Sequence, residues 1–230
     1  MENMCKNYVI AIDGEAGTGK STLAKNIAKK YKIVYMDTGA MYRCVTLNMI
    51  WDNVSLDEID KINNILDNIK IDMENIDGED KFYLNGVDVT KQIREKQVND
   101  LVSQVSHIPV VREKMVNLQR KLARGKNIVM EGRDIGTNVF PGAQVKIYLT
   151  ASAEERAKRR YEQNKEKGID ISYEEILKNV IFRDENDKSS SVAPLKKADD
   201  AFELDTTNYT LEEVENIVVG KIREKVDLDA

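Results

Sequence analysis

Short apolar runs alternate along the chain with segments of helical periodicity. The run YVIAID at residues 8–13 is rich in β-favouring residues, and LAKNIAKKY follows it after a glycine-rich turn. A second run, KIVYMD at residues 32–37, precedes GAMYRCVTLNMIW, whose apolar residues recur at intervals of three and four. Strands and helices that alternate in this way are typical of a parallel sheet covered by helices.

The pattern changes after Ser55. Ser55 and Glu58 match the Ser-x-x-Glu capping box, which predicts a short helix ending near Leu66. The segments KIDME and KFYLNGVDVT come next, and the Asn85-Gly86 pair in the second of them is a strong β-hairpin signal. We therefore expect antiparallel strands inserted into a parallel α/β chain.

The second half of the chain resumes the alternation. Residues 91–124 predict two helices divided near Pro109, and NIVMEG and AQVKIYLTA predict two more parallel strands. Two charged helices joined near Gly168, a strand in DAFELDT and a C-terminal amphipathic helix complete the pattern. The sequence thus predicts an α/β fold with a mostly parallel core sheet flanked by helices.

Composition narrows the classes of function. The chain is 41% hydrophobic and 33% charged with only three prolines, which is typical of a folded protein. A net charge of −5 disfavours non-specific binding to nucleic acid or to an anionic membrane. The only histidine, His107, makes zinc or histidine-based nucleophilic chemistry a poor fit. Two cysteines, Cys5 and Cys44, and an N-terminal apolar run too short for a signal or a membrane span lead us to expect a cytoplasmic protein.

A phosphate-binding motif follows the first predicted strand. Residues 14–21 read GEAGTGKS, which matches G-x-x-x-x-G-K-[S/T], and the motif opens a predicted helix. In that context backbone N–H groups surround phosphate oxygens, Lys20 reaches the β- and γ-phosphates, and the Ser21 hydroxyl binds Mg²⁺. The alternative is a glycine-rich turn with a surface lysine. The predicted ATP site consists of Gly14, Glu15, Ala16, Gly17, Thr18, Gly19, Lys20, Ser21 and Thr22.

Two further segments carry arginines and carboxylates to the carboxyl ends of predicted strands. DTGAMYR at residues 37–43 follows the second strand, and EGRDIGT at residues 131–137 ends the third. Ligands of open α/β sheets bind at this edge of the sheet. A P-loop is shared by kinases, GTPases and motor ATPases, so these segments bear on what receives the phosphoryl group.

The motifs together resemble the bacterial cytidylate kinases, which pass a phosphoryl group from ATP to CMP or dCMP. The resemblance runs from about Tyr8 to Val226 and includes FYLNGVDVTKQIR, VREKMVNLQRKLA, EERAKRRY and APLKKADDAFELDTT in the family's order. The LNGVDVT hairpin marks this family, and EGRD replaces the D-G-F-P-R block of adenylate kinase. The resemblance implies a P-loop kinase with core segments at about 1–54, 106–155 and 191–230, a monophosphate-binding insert at about 55–105 and a lid at about 156–190.

The resemblance also implies roles for individual residues on the acceptor side. It assigns Arg43 and Arg133, with Thr38 nearby, to the acceptor phosphate, and these guanidinium groups suit phosphate oxygens. It assigns to the cytosine ring Ser103, Arg112 and Asp134. A carboxylate accepts a hydrogen bond from the exocyclic amine of cytosine, which uracil replaces with a carbonyl group. Arg183 and Asp187 match a pair that contacts the ribose, although their four-residue spacing also fits an ordinary ion pair on a helix.

Three arginines in the predicted lid helix are candidates for the donor side. The resemblance favours Arg156 near the adenine and Arg160 on phosphate, so that Lys20, Arg133, Arg156 and Arg160 form the predicted catalytic set. For each of Arg156, Arg159 and Arg160 the alternative is a place on a solvated charged helix with intrahelical ion pairs. Glu131 ends a strand where related kinases use a carboxylate to hold water on Mg²⁺, so we expect Ser21 and Glu131 at the metal.

One position departs from the family pattern. The family usually carries an arginine three residues after the aspartate matched by Asp187, and this chain has Ser190 there. We expect weaker acceptor binding or altered base selection, with Lys188 as a substitute charge that lacks a planar fork. The rival functions are a kinase of UMP, AMP or shikimate and a nucleotide-dependent switch, and the chain lacks the guanine-specifying Asn-Lys-x-Asp motif. The family suggests a monomer, with ATP and CMP or dCMP as its partners.

Overall fold

The computed structural model describes residues 7–76, 79–166, 168–189, 192 and 194–228. The strands are β1 (Val9–Gly14), β2 (Val34–Asp37), β3 (Ile71–Ile76), β4 (Glu79–Leu84), β5 (Val87–Asp88), β6 (Ile128–Gly132), β7 (Val145–Thr150) and β8 (Phe202–Asp205). The helices are α1 (Lys20–Tyr31), α2 (Thr38–Trp51), α3 (Ile59–Asn68), α4 (Lys96–Ser106), α5 (Pro109–Ala123), α6 (Ala153–Glu166), α7 (Tyr173–Ser189) and α8 (Leu211–Arg223).

The chain divides into two compact units. The first, here called the core unit, contains Met1–Asp37 and Ala123–Ala230. The second unit is the continuous segment Thr38–Leu122, which is wider than the insert predicted at about 55–105. The insert and lid boundaries stay predictions. Among the described residues, none of the helices is both long and apolar enough to cross a membrane.

The core unit is built on a five-stranded parallel sheet with the order β2-β6-β1-β7-β8. Its strands are buried on both faces, as a parallel sheet between helices requires, and Ile10, Ile12 and Val129 are inaccessible to solvent. Leu23 and Ile27 of α1 and Val218 of α8 belong to the same apolar cluster. The predicted α/β fold with a parallel core is therefore confirmed.

Strand register places the predicted functional segments of the core unit on one edge of this sheet. Asp13 of β1 lies opposite Gly132 of β6 and Tyr148 of β7, and Asp37 lies opposite Glu131. The chain thus leaves β1 into the P-loop beside the point where β6 leads into Arg133. The order of strands reverses around β1, which is the position where open α/β sheets bind ligands.

The second unit joins α2 to α5 with a small antiparallel sheet, in the order β3-β4-β5. The predicted turn is present at Asn85 and Gly86, whose φ angles are 51° and 82°. Both angles lie in the left-handed region that a two-residue hairpin turn of this kind requires. Asn85 Oδ1 also accepts a hydrogen bond from the backbone N–H of Lys70 at 2.8 Å. This bond attaches the residue before β3 to the turn between β4 and β5.

The structure differs from the sequence predictions in two local features. The helix predicted from Ser55 begins at Ile59. One half of the predicted capping box is present, since Glu58 accepts the backbone N–H of Ser55 at 2.9 Å, but it lies in a turn that precedes the helix. A complete capping box is present at α8, where Thr210 and Glu213 bond reciprocally. A π-helical turn over Ile135–Val139 was not predicted, since five residues are too few to show an apolar period.

Candidate active site

The P-loop turns tightly between β1 and α1 because its glycines adopt conformations that other residues rarely reach. Gly14, Gly17 and Gly19 have φ angles of 144°, 85° and 92°. A Cβ atom on Gly14 would lie 2.0 Å from the carbonyl oxygen of Leu149 on β7. The first glycine of the motif is therefore required by the packing of β1 against β7 as well as by its backbone angle.

Lys20 is enclosed by the loop. Its side chain is buried, and Nζ donates to the carbonyl oxygen of Glu15 at 2.5 Å and to Thr18 Oγ1 at 3.3 Å. Burial, together with the positive charge of Arg133, lowers the pKa of Lys20 to about 7, although Glu131 and Asp13 act in the opposite direction. An ammonium group in this position gains a compensating charge when an anion enters the loop.

Carboxylates from neighbouring strands lie beside the first turn of α1. Glu131 is buried, and its Oε1 accepts the Tyr35 hydroxyl at 2.6 Å. Burial and the nearby Asp37 carboxylate raise the pKa of Glu131, while Lys20 and a hydrogen bond from Ser21 lower it. Carboxylate and hydroxyl oxygens are the donors that Mg²⁺ prefers, and Mg²⁺ commonly takes only one or two protein ligands. Ser21 and Glu131 therefore fit the predicted metal role.

Three guanidinium groups in the core unit lie close enough to influence one another, those of Arg133, Arg160 and Arg183. Burial and the charges of Arg133 and Arg160 lower the pKa of Arg183 to about 10. Arg133 Nε donates to Asp187 Oδ2 at 2.8 Å. Within the described part of the chain, Arg160 and Arg183 form neither an ion pair nor a hydrogen bond. Partly buried cations that repel one another favour the binding of an anion.

The three arginines of α6 have different surroundings. Arg156 is 3% exposed and forms a double hydrogen bond with Asp184 of α7, at 2.9 and 2.6 Å. It also donates to the carbonyl oxygens of Ala151, at 2.9 Å, and of Ala16 in the P-loop, at 3.2 Å. Arg159 bonds Glu155 at 3.0 Å and the Thr206 carbonyl oxygen at 2.7 Å. Arg159 thus forms the intrahelical ion pair that was the alternative to a role at the donor site. The adenine contact of Arg156 stays a prediction.

Glu15 links the P-loop to α7, which sequence reasoning missed. Its Oε1 lies 2.9 Å from Lys188 Nζ, and its Oε2 accepts the Thr150 hydroxyl at 3.1 Å. Although burial raises the pKa of Glu15, the hydrogen bond from Lys188 and the charge of Arg156 hold it below its usual value. Lys188 is thus paired with the P-loop, and Ser190 lies outside the described residues.

Asp134 begins the π-helical turn that follows β6. It is 6% exposed, and its Oδ2 accepts a hydrogen bond from Asn138 Nδ2 at 3.1 Å. Asp13 of β1 is buried beside this turn and accepts two of its backbone N–H groups. Sequence reasoning singled out Asp134 and missed Asp13, whose only signal is a carboxylate at the end of an apolar strand.

The second unit carries the other predicted acceptor residues. Thr38 and Arg43 lie on α2, Ser103 on α4 and Arg112 on α5. Arg43 donates to Asn99 Oδ1 on α4, and Arg112 is buried near Tyr42. Burial raises the pKa of Tyr42, and the positive charge of Arg112 opposes that increase. The predicted acceptor residues of this unit thus lie on three of its helices.

The parallel sheet, the P-loop at the end of its central strand and the arginines beside Lys20 define a P-loop kinase. A cytidylate kinase family model matches residues 10–224, so the chain belongs to the cytidylate kinase family. The cytidylate kinase of Fusobacterium nucleatum is 54% identical over 96% of this chain and 99% of its own length. That of Bacillus subtilis is 44% identical over the same shares. The predicted family is thereby confirmed.

One solved structure is similar in fold. The crystal structure of an uncharacterized protein from Eubacterium ventriosum covers 96% of this chain and all of its own, with a TM-score of 0.52 and 15% sequence identity. A likeness at this level of identity concerns the fold alone.

Proposed function

We propose that the protein transfers the γ-phosphoryl group of ATP to CMP or dCMP, giving ADP and CDP or dCDP. The observation that carries this proposal is the pair of unpartnered arginines, Arg160 and Arg183, beside Arg133 and the P-loop lysine in the described part of the core unit. A nucleotide switch needs the P-loop and uses one arginine at most to hydrolyse its nucleotide, whereas this cluster holds three arginines. Membership of the cytidylate kinase family supports the same reaction and acceptor class.

The reaction is an in-line displacement in which the acceptor phosphate oxygen attacks the γ-phosphorus. Such a transfer depends on positioning and on electrostatic stabilisation of the equatorial oxygens. Lys20 holds the β- and γ-phosphates, and Arg133 and Arg160 supply positive charge to the transferred group. Arg156, which is hydrogen-bonded to the Ala16 carbonyl, supports the P-loop from the adenine side. The P-loop N–H groups of Gly14–Thr22 bind the remaining phosphate oxygens.

Ser21 and Glu131 would hold Mg²⁺, Ser21 directly and Glu131 through a bound water. When bound, the ion neutralises charge on the β- and γ-phosphates. Glu131 is held by the Tyr35 hydroxyl, so its carboxylate is oriented before nucleotide binds.

The acceptor is recognised in parts. Arg43, Arg133 and Thr38 bind its phosphate, and Ser103, Arg112 and Asp134 bind the base. The carboxylate of Asp134 accepts a hydrogen bond from the exocyclic amine of cytosine. It disfavours uracil, which presents a carbonyl oxygen at that position. Arg183 and Asp187 bind the ribose hydroxyl groups. The ion pair between Asp187 and Arg133 supports these roles, since it places a proposed ribose contact next to a proposed phosphate contact.

A lid over residues 156–190 would close over the donor and exclude water from the transfer. We also propose that the protein acts as a cytoplasmic monomer. Neither substrate requires a second copy of the chain, and the charge of −5 gives no attraction to nucleic acid.

A coupled ADP-release assay tests the reaction, with Mg²⁺-ATP and CMP, dCMP, UMP or AMP supplied separately. We expect rapid turnover with CMP and dCMP and little with the others. Lys20→Met should abolish it, and Lys29→Met on the exposed side of α1 is the matched control. Equal rates with UMP would contradict the role of Asp134, and turnover independent of any acceptor would favour a switch.

A pair of arginine variants tests the cationic cluster. Arg183→Gln should raise KM for CMP by about tenfold, the effect of losing one charged hydrogen bond. Arg159→Gln should lower Tm and leave KM unchanged, because Glu155 and Thr206 already bind its guanidinium group. An unchanged KM in Arg183→Gln would remove Arg183 from the acceptor site.

A further inference from the structure

Asp13 holds the turn that follows β6. The carboxylate is 5% exposed at the end of β1, directly before the P-loop. Its Oδ1 accepts the backbone N–H of Ile135 at 2.8 Å, and its Oδ2 accepts that of Gly136 at 2.7 Å. Each carboxylate oxygen therefore binds one N–H group of the π-helical turn.

These two bonds restrict a very short stretch of chain. Asp13 lies opposite Gly132 in the sheet, so the strand end before the turn is also fixed to β1. Between Gly132 and the bonded N–H of Ile135 there are only two residues, Arg133 and Asp134. The backbone of both is thus anchored on either side by the same strand.

Gly136 of the turn lies close against Asp13. A Cβ atom on Gly136 would lie 3.4 Å from Asp13 Oδ2 and 3.1 Å from Lys146 Cδ. A carboxylate offers two acceptor oxygens, whereas an amide of the same size turns one of them into a donor. Asparagine at this position would therefore direct an N–H group at one of the two backbone N–H groups.

We propose that Asp13 is a positioning residue for acceptor recognition, which fixes the backbone of Ile135 and Gly136 and thereby sets where Arg133 and Asp134 meet the acceptor nucleotide. Asp13 acts on the acceptor site through the turn. Its charge also reaches Lys20 and Arg133, so ATP binding is measured separately from acceptor binding. The proposal rests on the function proposed above, because Arg133 and Asp134 are there the contacts to the phosphate and the base. It predicts an effect on the acceptor that is larger than the effect on the donor.

The test compares wild-type protein with Asp13→Asn and Asp13→Ser. Steady-state assays give kcat and KM for CMP and UMP at saturating Mg²⁺-ATP, and calorimetry gives Kd for ATP without acceptor. We expect KM for CMP to rise about tenfold or more, as loss of a hydrogen bond to a charged group implies. The ratio of kcat/KM for CMP over UMP should fall by about the same factor, while Kd for ATP changes by less than about threefold.

Two controls separate positioning from loss of stability. Ile147→Val removes a buried methyl group from β7, the strand beside Asp13, without touching the turn, and it should lower Tm with no change in base selection. Asn138→Val removes the exposed side chain that donates a hydrogen bond to Asp134. It should therefore lower the ratio of kcat/KM for CMP over UMP and leave Arg133 in place.

Several outcomes overturn the proposal. These are an unchanged KM and ratio in both Asp13 variants, equal losses for ATP and CMP, the same shift in Ile147→Val, and failure of both variants to fold at 10 °C in saturating ATP. Each of them assigns Asp13 to general stability. If wild-type protein shows no CMP-dependent turnover, the proposed function itself fails. The wild-type assay is therefore done before any variant is compared.

Discussion

Removing Asp184 should deprive the buried Arg156 guanidinium of the carboxylate that binds it with two hydrogen bonds. Arg156 is 3% exposed and Asp184 is 12% exposed at the side chain, and two hydrogen bonds of 2.9 and 2.6 Å join them. Asp184→Ala leaves the guanidinium with the carbonyl groups of Ala151 and Ala16 and with the more distant Glu15 carboxylate, 3.7 Å from Nη2. Glu15 compensates only in part, because Lys188 already pairs with it at 2.9 Å. Breaking a buried ion pair on one side typically costs about 3–5 kcal/mol.

That cost is large beside the stability of a whole domain, which is about 5–15 kcal/mol. For a protein of this size each kcal/mol corresponds to about 2–4 °C in Tm, so Asp184→Ala should lower Tm by about 6–20 °C. Urea denaturation at 25 °C measures the free energy of unfolding directly, and an unchanged m-value would show that both proteins unfold the same surface.

A surface ion pair of similar length provides the control. Lys96 and Asp100 lie 2.8 Å apart on α4 with exposed side chains. Asp100→Ala should cost about 0.5 kcal/mol or less, because water solvates the remaining lysine. In the double variant Arg156→Met/Asp184→Ala the losses should be less than additive by about 1–3 kcal/mol. Strict additivity, or equal costs at the two pairs, would refute the reasoning from burial.

Three further predictions follow from single positions. Gly14→Ala should lower the free energy of unfolding by about 4 kcal/mol or more, because its Cβ would lie 2.0 Å from the Leu149 carbonyl oxygen. Gly142→Ala is the control, because no atom lies within 4 Å of its Cβ. Its free energy of unfolding, measured in the same way by denaturation, should stay within about 0.5 kcal/mol of wild type. Since the pKa of Lys20 is lowered to about 7, triphosphate binding above that pH should take up a proton, which calorimetry in buffers of different ionisation enthalpy detects. In the ligand-free protein Lys20 loses its proton at a lower pH when folded than when unfolded, so its contribution to stability rises with pH from about 7 towards its unfolded pKa. Lys20→Met should remove both the proton uptake and this pH dependence. Ser190→Arg should lower KM for CMP by restoring a planar cation, and an unchanged KM in the steady-state assay would contradict the expected role of that position.

Features with a local cause were predicted best from the sequence. The P-loop is a continuous motif whose glycines are required by the backbone, and the Asn85-Gly86 turn follows from two adjacent residues that accept positive φ. The parallel strands were recognisable because each is a short apolar run that ends in a polar residue. These signals depend on neighbours in the chain, so one sequence was sufficient to identify them.

The environment of a side chain depends on residues far away in the sequence. Arg156, Arg159 and Arg160 look alike in one charged helix, yet the first is buried against Asp184, the second bonds Thr206, and the third has no partner among the described residues. The contacts of Glu15 with Lys188 and of Asp13 with Gly136 likewise span more than a hundred residues. Spacing along the chain contains no information about such pairs.

The second unit leaves the core unit after Asp37 and returns at Ala123, as one uninterrupted stretch of chain. Its ends are attached to β2 and β6, which are neighbours in the sheet with Val34 opposite Ile128. The order of the core strands therefore does not depend on how long or how elaborate this excursion is. The second unit therefore has a single pair of junctions with the core unit, so exchanging it between related kinases requires two splice points and leaves the segment of β1, the P-loop and α1 intact.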